Sequence, residues 1–370
     1  MAKSKKIAPS RRSSAKGSRT GKRGIHAVAE LAGVSIATVS RVMNGVPSVD
    51  AKLSRKVWKA VSEIDYVPNR HAQALISGRT HLIGLLVSDI INPFFPELIQ
   101  GFEQAATAEG FGILIGVTNG AARQTEAWVE RMLQHGVEGM ALLTFAEEPD
   151  SVYSLLKKTP AVQIEVSDAP TGLDVVEVDF QIGLREAVQH LAGLGHRDIV
   201  FAAGPHQDFT AALRQQCFRN AMREIGIVID AGSIFEEHHT LEGGIEAARR
   251  ILARKTMPTA LVCSNDLMAI GALKHFHAHG LHIPNDLSLI GLDDIHLTEF
   301  TSPPLTTVRI PRIELAATCF QVLFRKLRPQ QAQQDAQGTP RVVSTSLVVR
   351  ESTGRARRTL QRAAKKTKRL

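Results

Sequence analysis

The sequence predicts an α/β protein in which a small all-α head precedes a larger core built from two lobes of parallel sheet. Near the N-terminus, short amphipathic stretches of helical period follow one another with no strand pattern between them. From His81 onward, apolar runs of strand length alternate with amphipathic stretches of helix length, which is typical of parallel strands covered by helices on both faces. These runs are too many for one sheet, and 370 residues exceed one ordinary domain, so two lobes are expected.

The composition is that of a globular protein. Hydrophobic residues make up 44% of the chain and charged residues 22%, which excludes a mostly disordered, collagenous or coiled-coil protein. No apolar run approaches roughly 18 residues, so neither a membrane-spanning helix nor a membrane partner is expected. Cys217, Cys263 and Cys319 leave one thiol unpaired in any disulfide scheme, and no apolar signal segment follows the basic N-terminus. A reducing, cytoplasmic location is therefore expected.

The net charge of +9 comes from the two ends of the chain. Residues 1–23 hold nine Lys or Arg and residues 355–370 hold eight, with no acid in either segment. The rest of the chain carries 28 Lys and Arg against 36 acids and is net −8. Cationic tails on an acidic body predict phosphate contacts, most simply with nucleic acid. A solubilising role and, for the N-terminal tail, an organelle transit peptide are the alternatives.

The head begins with two short helices joined by a tight turn. Apolar residues recur at helical spacing from Ile25 to Ala32, Gly33 can supply the positive φ of a turn, and Ser35 suits the N-cap of a second helix. The pattern predicts a helix-turn-helix, whose second helix enters the major groove of DNA. An ordinary helix pair without a DNA role has the same pattern.

The first residues of the second helix are the candidate readers of base sequence. Ile36 and Ala37 offer only apolar contacts, for example to a thymine methyl group, whereas Arg41 can reach a guanine edge or a phosphate. The candidate DNA contacts of the head are Ser35, Ile36, Ala37, Thr38, Ser40, Arg41 and Asn44.

After a third predicted helix, Ala51 to Ile64, the sequence resembles a known family. Residues 28–44 and the Tyr-x-Pro-Asn-x-x-Ala-x-x-Leu pattern of residues 66–75 are similar to two motifs of the lactose-repressor (LacI/GalR) family of bacterial transcription regulators. The resemblance implies a sequence-specific repressor, not an enzyme, that binds a pseudo-palindromic double-stranded DNA operator as a homodimer. Gly24 and Ala27 depart from the family's Thr cap and Asp, which predicts a poorly capped first helix.

The resemblance also implies that residues 69–77 form a hinge helix. Helices shorter than roughly 12 residues are marginal in water, so this segment is expected to order only against its twin and DNA. In the family, the paired hinge helices enter the minor groove and a leucine at the position of Leu75 wedges between bases. Alternatively, Leu75 and Ile76 only cap a linker onto the core. The candidate DNA contacts of the hinge are Asn69, Ala72, Leu75 and Gln73, the last of which is often Arg in relatives.

The core alternates predicted strands and helices. Strands are expected at 82–87, 113–117, 139–143, 162–164, 198–202, 260–263 and 287–291, and helices near 209–225, 240–254, 265–280 and 311–327. The segments 88–95, 194–197, 264–272, 291–294 and 302–308 are similar to the periplasmic-binding-protein-like core of the same family. Ligands of open α/β sheets lie beyond the carboxyl ends of the strands, which places an effector between the lobes.

The resemblance implies an effector that is a sugar or related metabolite. An aromatic face could stack on its ring, and an arginine with an aspartate gives polar recognition in a closed cleft. Alternatively, Phe94 and Phe95 are core residues and Asp266 is only a helix N-terminal partner. The candidate effector-binding residues are Asn92, Phe94, Phe95, Arg214, His239 and Asp266.

These observations divide the chain into a basic tail (1–23), a helix-turn-helix domain (24–67), a hinge helix and linker (68–80), a two-lobed core for effector binding and dimerisation (81–350) and a second basic tail (351–370). Nucleotide, zinc-protease and serine-hydrolase motifs are missing, so no cofactor is expected. His275 and His279 share a helix face as metal ligands would, but they are interpreted as solvated residues and no metal is expected. A transport receptor and a nucleoid protein that binds DNA through its tails are the competing classes.

Overall fold

The computed structural model describes residues 24–43, 49–66, 78–145, 148–164, 172–206, 208–230, 232–328 and 341–357. The chain divides into two compact units, one ending at Thr80 and the other beginning at His81. The first contains the head and the second contains the core.

Three helices form the head: α1 (Ile25–Ala32), α2 (Ile36–Met43) and α3 (Ala51–Glu63). The axes of α1 and α2 meet at 104° across a turn in which Gly33 has φ 66, the left-handed conformation that glycine adopts without strain. Gly24 precedes α1 and makes no side-chain cap bond, in agreement with the poor cap expected there. The three helices bury one small cluster, which consists of Val28, Ala29, Ala32, Val39, Val42, Val57 and Ala60.

The first lobe is a six-stranded parallel sheet with strand order β11-β5-β4-β3-β1-β2. Its strands are β1 (Leu82–Val87), β2 (Gly112–Val117), β3 (Gly139–Leu143), β4 (Ala161–Ile164), β5 (Asp174–Asp179) and β11 (Val342–Ser344). Its helices are α4 (Phe94–Ala108), α5 (Ala122–Gln134), α6 (Asp150–Leu156) and α11 (Arg312–Leu327).

The second lobe repeats this architecture with strand order β12-β10-β9-β8-β6-β7, parallel except for the antiparallel pair of β10 and β12. Its strands are β6 (Ile199–Ala203), β7 (Ile234–Glu236), β8 (Ala260–Cys263), β9 (Ser288–Asp293), β10 (Thr306–Arg309) and β12 (Ser346–Val348). Its helices are α7 (Phe180–Gly193), α8 (Phe209–Glu224), α9 (Leu241–Leu252) and α10 (Asp266–Ala278), with a 3₁₀ turn at His296–Glu299.

The chain passes between the lobes three times: from β5 to α7, from β10 to α11, and from β11 to β12. Thr345, in the third crossover, donates its hydroxyl to the Asp179 carbonyl at 2.6 Å and accepts the Gly183 amide at 3.0 Å. A Cβ on Gly183 would lie 2.4 Å from Val308 and 2.6 Å from the Thr345 hydroxyl, so only glycine lets the three crossovers pack together. This packing forms the hinge between the lobes.

The apolar runs predicted their strands well, and β1, β3 and β8 have the expected bounds. Strands β5, β7, β10, β11 and β12 were not predicted. Strand β5 begins and ends with an aspartate, and β7, β11 and β12 are only three residues long, so none of them makes an apolar run.

The start of the C-terminal tail differs from the expected boundary at 351. Ser352 is fully buried and donates its hydroxyl to the Leu289 carbonyl at 2.6 Å, while the Gly354 carbonyl lies 2.9 Å from Nε2 of His196. The Ala356 amide donates to the Leu194 carbonyl at 2.9 Å. Residues 351–357 therefore complete the surface of the second lobe, because buried backbone groups there need these partners.

Within the described residues, no single helix is long and apolar enough to cross a membrane. Only α1 and α2 taken together, across their 104° bend, reach that length and hydropathy.

Candidate DNA-binding and effector sites

Helix α2 has exposed residues at its N-terminus, which is capped by a short side chain. The Thr38 amide donates to the Ser35 hydroxyl oxygen at 3.1 Å, and the two hydroxyls lie 2.9 Å apart. Val39 and Val42 are buried on the opposite face. Ser35, Ala37 and Arg41 are exposed, and Ile36 is 41% exposed although it is apolar. This surface suits contact with base edges.

The remaining DNA-binding candidates divide into two groups. Thr38 and Ser40 are half-buried on the flank of α2. Asn44 and the hinge candidates Asn69, Ala72, Gln73 and Leu75 lie outside the described residues.

The second lobe gathers polar side chains around Arg214, which lies on α8 and is 7% exposed. Its Nη1 donates to the Ser264 carbonyl at 2.8 Å, and its Nη2 lies 3.9 Å from Oδ1 of Asp293. The guanidinium stacks on the Phe180 ring at 4.7 Å, and its buried Nε has no hydrogen-bond partner. We call Arg214, His239, Ser264 and Asp293 the polar seat. A buried arginine with an unused donor can bind a ligand oxygen.

His239 contributes a neutral imidazole to the polar seat. Its Nε2 lies 3.0 Å from the Ser264 hydroxyl, and the ring packs where a Cβ on Gly204 would stand. Burial, followed by the positive charge of Arg214 and then His238, lowers the pKa of His239 to about 3. The ring is therefore uncharged at neutral pH and can donate or accept a hydrogen bond.

Asp293 and Asp266 are buried carboxyls with different surroundings. Asp293 ends β9 and is 4% exposed; burial raises its pKa to about 6, against the opposing effects of Arg214 and Arg312. Asp266 is fully buried, and burial and the charge of Asp293 raise its pKa.

Asp266 uses both carboxyl oxygens within the protein. Oδ1 accepts the Thr307 hydroxyl at 2.6 Å, and Oδ2 accepts the Ile295 amide at 2.8 Å. The expected bond from Asp266 to a ligand hydroxyl stays a prediction, since each of its oxygens already accepts one hydrogen bond within the protein. Its bond to the Ile295 amide anchors the loop that follows Asp293, the last residue of β9.

The first lobe contributes an aromatic cluster. The rings of Phe94, Phe95 and Phe145 meet edge-on at 5.3 to 6.4 Å, and Phe94 and Phe95 are 4% and 8% exposed. Thr210 of the second lobe donates to the Phe145 carbonyl at 3.5 Å, so the cluster lies where the lobes meet. Asn92 uses its side-chain carbonyl to accept the Phe94 amide at 3.0 Å, which leaves its NH₂ group for a ligand.

The structure thus brings Arg214, His239 and Asp266 into one neighbourhood of the second lobe, and Asn92, Phe94 and Phe95 to the facing end of the first. Sequence reasoning missed Phe145, Phe180, Ser264 and Asp293 as site residues. The position of Asp293 directly after an apolar run was the available signal, because the carboxyl ends of parallel strands face the ligand.

Two cavities lie away from the polar seat. One of about 430 Å³ is lined by residues around the amino end of β4, including Tyr153, Lys157, Lys158 and Lys326. The other, of about 310 Å³, lies beside His277 and Pro304. Among the described residues, no three His, Cys, Asp or Glu side chains converge as metal ligands, and the rings of His275 and His279 lie 4.2 Å apart.

Two family models match the chain. "Bacterial regulatory proteins, lacI family" matches residues 24–69, and "Periplasmic binding protein-like domain" matches residues 188–353. The HTH-type transcriptional regulator DegA of Bacillus subtilis is 37% identical over 89% of this chain and 97% of its own length. The ribose operon repressor of Escherichia coli K12 is 33% identical over 85% of this chain and 96% of its own.

Solved structures agree with these matches. The lac repressor dimer bound to operator and the anti-inducer ONPF has a TM-score of 0.78 at 28% identity, over 88% of this chain and 98% of that chain. The complex of the transcriptional regulator CelR with cellobiose has a TM-score of 0.65 at 28% identity, over 89% of this chain and 99% of that chain.

A helix-turn-helix head and a two-lobed core with a buried polar seat define a DNA-binding regulator controlled by a small molecule. The chain belongs to the lacI family of bacterial regulatory proteins, as its sequence motifs implied. The expected fold class is confirmed as well.

Proposed function

We propose that this protein is a repressor that binds a pseudo-palindromic operator as a homodimer and responds to a neutral carbohydrate or related metabolite bound between its lobes. The capped α2, with Ile36, Ala37 and Arg41 exposed on a lacI-type head, is the observation that carries the proposal. Two heads read two half-sites, which requires a dimer. A regulator of chromosomal DNA acts in the cytoplasm, and its role is regulatory rather than catalytic.

The polar seat supports a neutral ligand. Arg214 and Asp293 offset one another's charge, so an anionic ligand would be repelled by Asp293 and a cationic one by Arg214. His239 adds a neutral group, and the Phe94–Phe95–Phe145 cluster adds an apolar wall. Hydroxyl groups on a ring with an apolar face match this set of partners. The solved CelR complex, with cellobiose bound, is consistent with that class.

Linkage couples the two sites. An effector that binds one arrangement of the lobes more tightly changes operator affinity by the ratio of its two affinities. In this proposal the hinge helices pair in the minor groove of the bound DNA and Leu75 inserts between bases there, as the resemblance to the family implies.

Selection of bound sequences from random duplex DNA at physiological salt tests operator recognition. Enrichment of a palindrome with a flexible central base-pair step is expected.

Leu75→Ala is expected to weaken binding to that operator more than binding to unrelated DNA, with Ile76→Ala as the matched control. Equal losses on both DNAs would contradict the hinge role.

Effector recognition is tested by titrating D-ribose, cellobiose and other neutral sugars into the operator complex. A change of operator affinity with one of them is expected, and its direction identifies an inducer or a corepressor. Arg214→Met should abolish that response and leave operator affinity without sugar unchanged. A response only to phosphorylated or carboxylated compounds would overturn the neutral-ligand assignment.

A further inference from the structure

Arg312 makes contacts that belong to neither the DNA-binding nor the effector assignment. It begins α11, directly after the second crossover between the lobes, and is 9% exposed. Its Nε and Nη2 donate to one carboxylate oxygen of Glu97, on α4 of the first lobe, at 3.0 and 2.7 Å. Its Nη1 donates to the Asp293 carbonyl and its Nη2 to the Asp294 carbonyl at 2.7 Å. One guanidinium thus joins the first lobe to the end of β9 in the second.

The backbone that Arg312 holds is unusual. Asp293 has φ 120 and Asp294 has φ 58, two consecutive non-glycine residues with positive φ. Such conformations are unfavourable for residues with a Cβ and persist only where the surroundings fix them. This turn directs the Asp293 carboxylate to Arg214 in the polar seat, 3.9 Å away.

Other contacts also hold this turn. The Asp294 amide donates to the Thr307 hydroxyl at 3.3 Å, and the Asp293 carbonyl accepts the Ile310 amide at 3.5 Å. The Asp294 side chain is held by Nε of Arg309 at 2.6 Å and Nη2 of Arg350 at 2.7 Å. These arginines fix the Asp294 carboxylate, whereas Arg312 donates to the two backbone carbonyls of the turn. Arg312 also lies 5.9 Å above the Phe94 ring, so its contacts reach the aromatic cluster of the first lobe.

We propose that Arg312 is a positioning residue that aims Asp293 into the polar seat and couples the seat to α4 of the first lobe through Glu97. The inference rests on the proposed function in one respect, that the polar seat receives the effector. Arg312 touches no effector in this assignment and acts through Asp293. Closing or opening the lobes requires the bonds on one side of its guanidinium to break, so the strength of these bonds sets the balance between two lobe arrangements.

Distances between spin labels on the two lobes of the full-length protein test the coupling. The labels are attached at Arg123→Cys on α5 and Glu242→Cys on α9, both of which are exposed. The native Cys217, Cys263 and Cys319 are buried and their thiol pKa values are raised by burial, so they react slowly. Labelled protein is mixed with excess unlabelled protein to suppress distances between protomers.

Glu97→Gln removes the negative charge that faces Arg312 with little change in the shape of the side chain. It is expected to change the ratio of the two distance populations about tenfold, because the ion pair is lost and only hydrogen bonds from the Arg312 guanidinium to a neutral amide remain. Glu103→Gln is the matched control on the same helix, since Glu103 accepts only the Thr107 hydroxyl in the described contacts. It should leave the distances at their wild-type values, and both variants should keep the wild-type melting temperature within a few degrees.

A variant in which the charges of residues 97 and 312 are exchanged distinguishes a positioning role of Arg312 from a role in the ion pair alone. The double variant Glu97→Arg with Arg312→Glu restores an ion pair, but a glutamate cannot donate to the Asp293 and Asp294 carbonyls. We expect this variant to keep the altered distances. Arg312→Lys should give a ratio of distance populations between that of the wild type and that of the double variant.

The inference would be overturned if Glu97→Gln and Arg312→Lys both kept the wild-type distances between the labels. It would also be overturned if the double variant Glu97→Arg with Arg312→Glu had the wild-type distances. The distance measurement needs no effector. The expected change in distances can therefore be missing even if a sugar response is found, and it can be present even if no sugar binds.

Discussion

Arg41 is the only charged side chain on α2 and lies one turn after the exposed Ile36 and Ala37, so we propose that it has the strongest influence on base choice. Arginine donates two hydrogen bonds to a guanine edge in a geometry that other bases do not match. The aliphatic neighbours supply apolar contact only. We therefore propose that specific recognition by this head combines one polar contact with two apolar ones.

Arg41→Ala is expected to weaken operator binding by about 1 to 3 kcal/mol, or roughly 5- to 150-fold, and to relax the preference at one base pair per half-site. Competition binding to a set of singly substituted operators measures both effects. Arg55→Ala, on α3, is the control, and its loss should be similar on all sequences. An unchanged base preference in Arg41→Ala would assign the residue to a phosphate.

Asp293 makes the stability of the core depend on pH. Its pKa in the folded state, about 6, lies above the ordinary value of 3.8, so the folded state holds the proton more tightly than the unfolded one. The stability that it contributes is fully present below pH 3.8 and is lost as the pH rises through 6.

Asp293→Asn should remove this loss of stability with rising pH. Compared with the wild type, the variant is expected to gain on the order of 2 kcal/mol in unfolding free energy on going from pH 4 to pH 7. Urea unfolding across that range measures the difference, and Asp286→Asn in the same lobe is the control. Parallel pH profiles for Asp293→Asn and the wild type would show that Asp293 is not a strained, buried acid.

At the scale of elements, the position of α2 depends on its N-cap. Ser35 satisfies the Thr38 amide, which has no partner within the helix, and it holds the start of α2 after the Gly33 turn. Helices of eight residues are marginal alone, so α2 depends on this cap and on the small apolar cluster beneath it.

Ser35→Ala is expected to destabilise α2 by about 1 kcal/mol. Hydrogen exchange of the α2 amides in the full-length protein should accelerate by roughly fivefold, with operator affinity falling in the same direction. Ser62→Ala makes the same chemical change at an exposed position of α3 and should alter neither quantity. If α2 exchanges at the wild-type rate in Ser35→Ala, the cap contributes nothing.

The elements also differ in how far sequence predicts them. Strands β1, β3 and β8 are continuous apolar runs because both faces of a parallel sheet are buried, and their bounds are recovered. Strands β11 and β12 are three residues long and flank the third crossover, so they exist only because two sheets have already formed beside them.

At the scale of the whole molecule, the charge is divided between basic ends and an acidic body. The C-terminal basic segment is shorter than its composition indicates, because residues 355–357 pack on the second lobe and Arg357 donates to the Met257 carbonyl. Tails of this kind add affinity for any DNA by releasing counterions, without reading sequence.

Removal of residues 1–23 and 358–370 is expected to lower affinity for unrelated DNA about tenfold at low salt and to reduce the salt dependence of binding. The ratio of operator to unrelated-DNA affinity should rise, since the reading surface of α2 is intact. Fluorescence anisotropy at several salt concentrations measures these quantities. Loss of operator preference in the truncated protein would favour a nucleoid protein that binds DNA through its tails.

The sequence alone determined the family, the α/β class and the strands that form continuous apolar runs, and it predicted the reading helix, because helical and strand periods and two linear motifs are local properties of the chain. It also placed Arg214 and His239, which the structure brings together on Ser264. Only the tertiary structure decided that Asp266 is occupied within the protein, that Asp293 faces Arg214, and that Arg312 joins Glu97 to the end of β9. Each of these contacts links residues that lie 18 or more positions apart, within the second lobe or across the two lobes, and no local pattern records which partner a buried charge will meet.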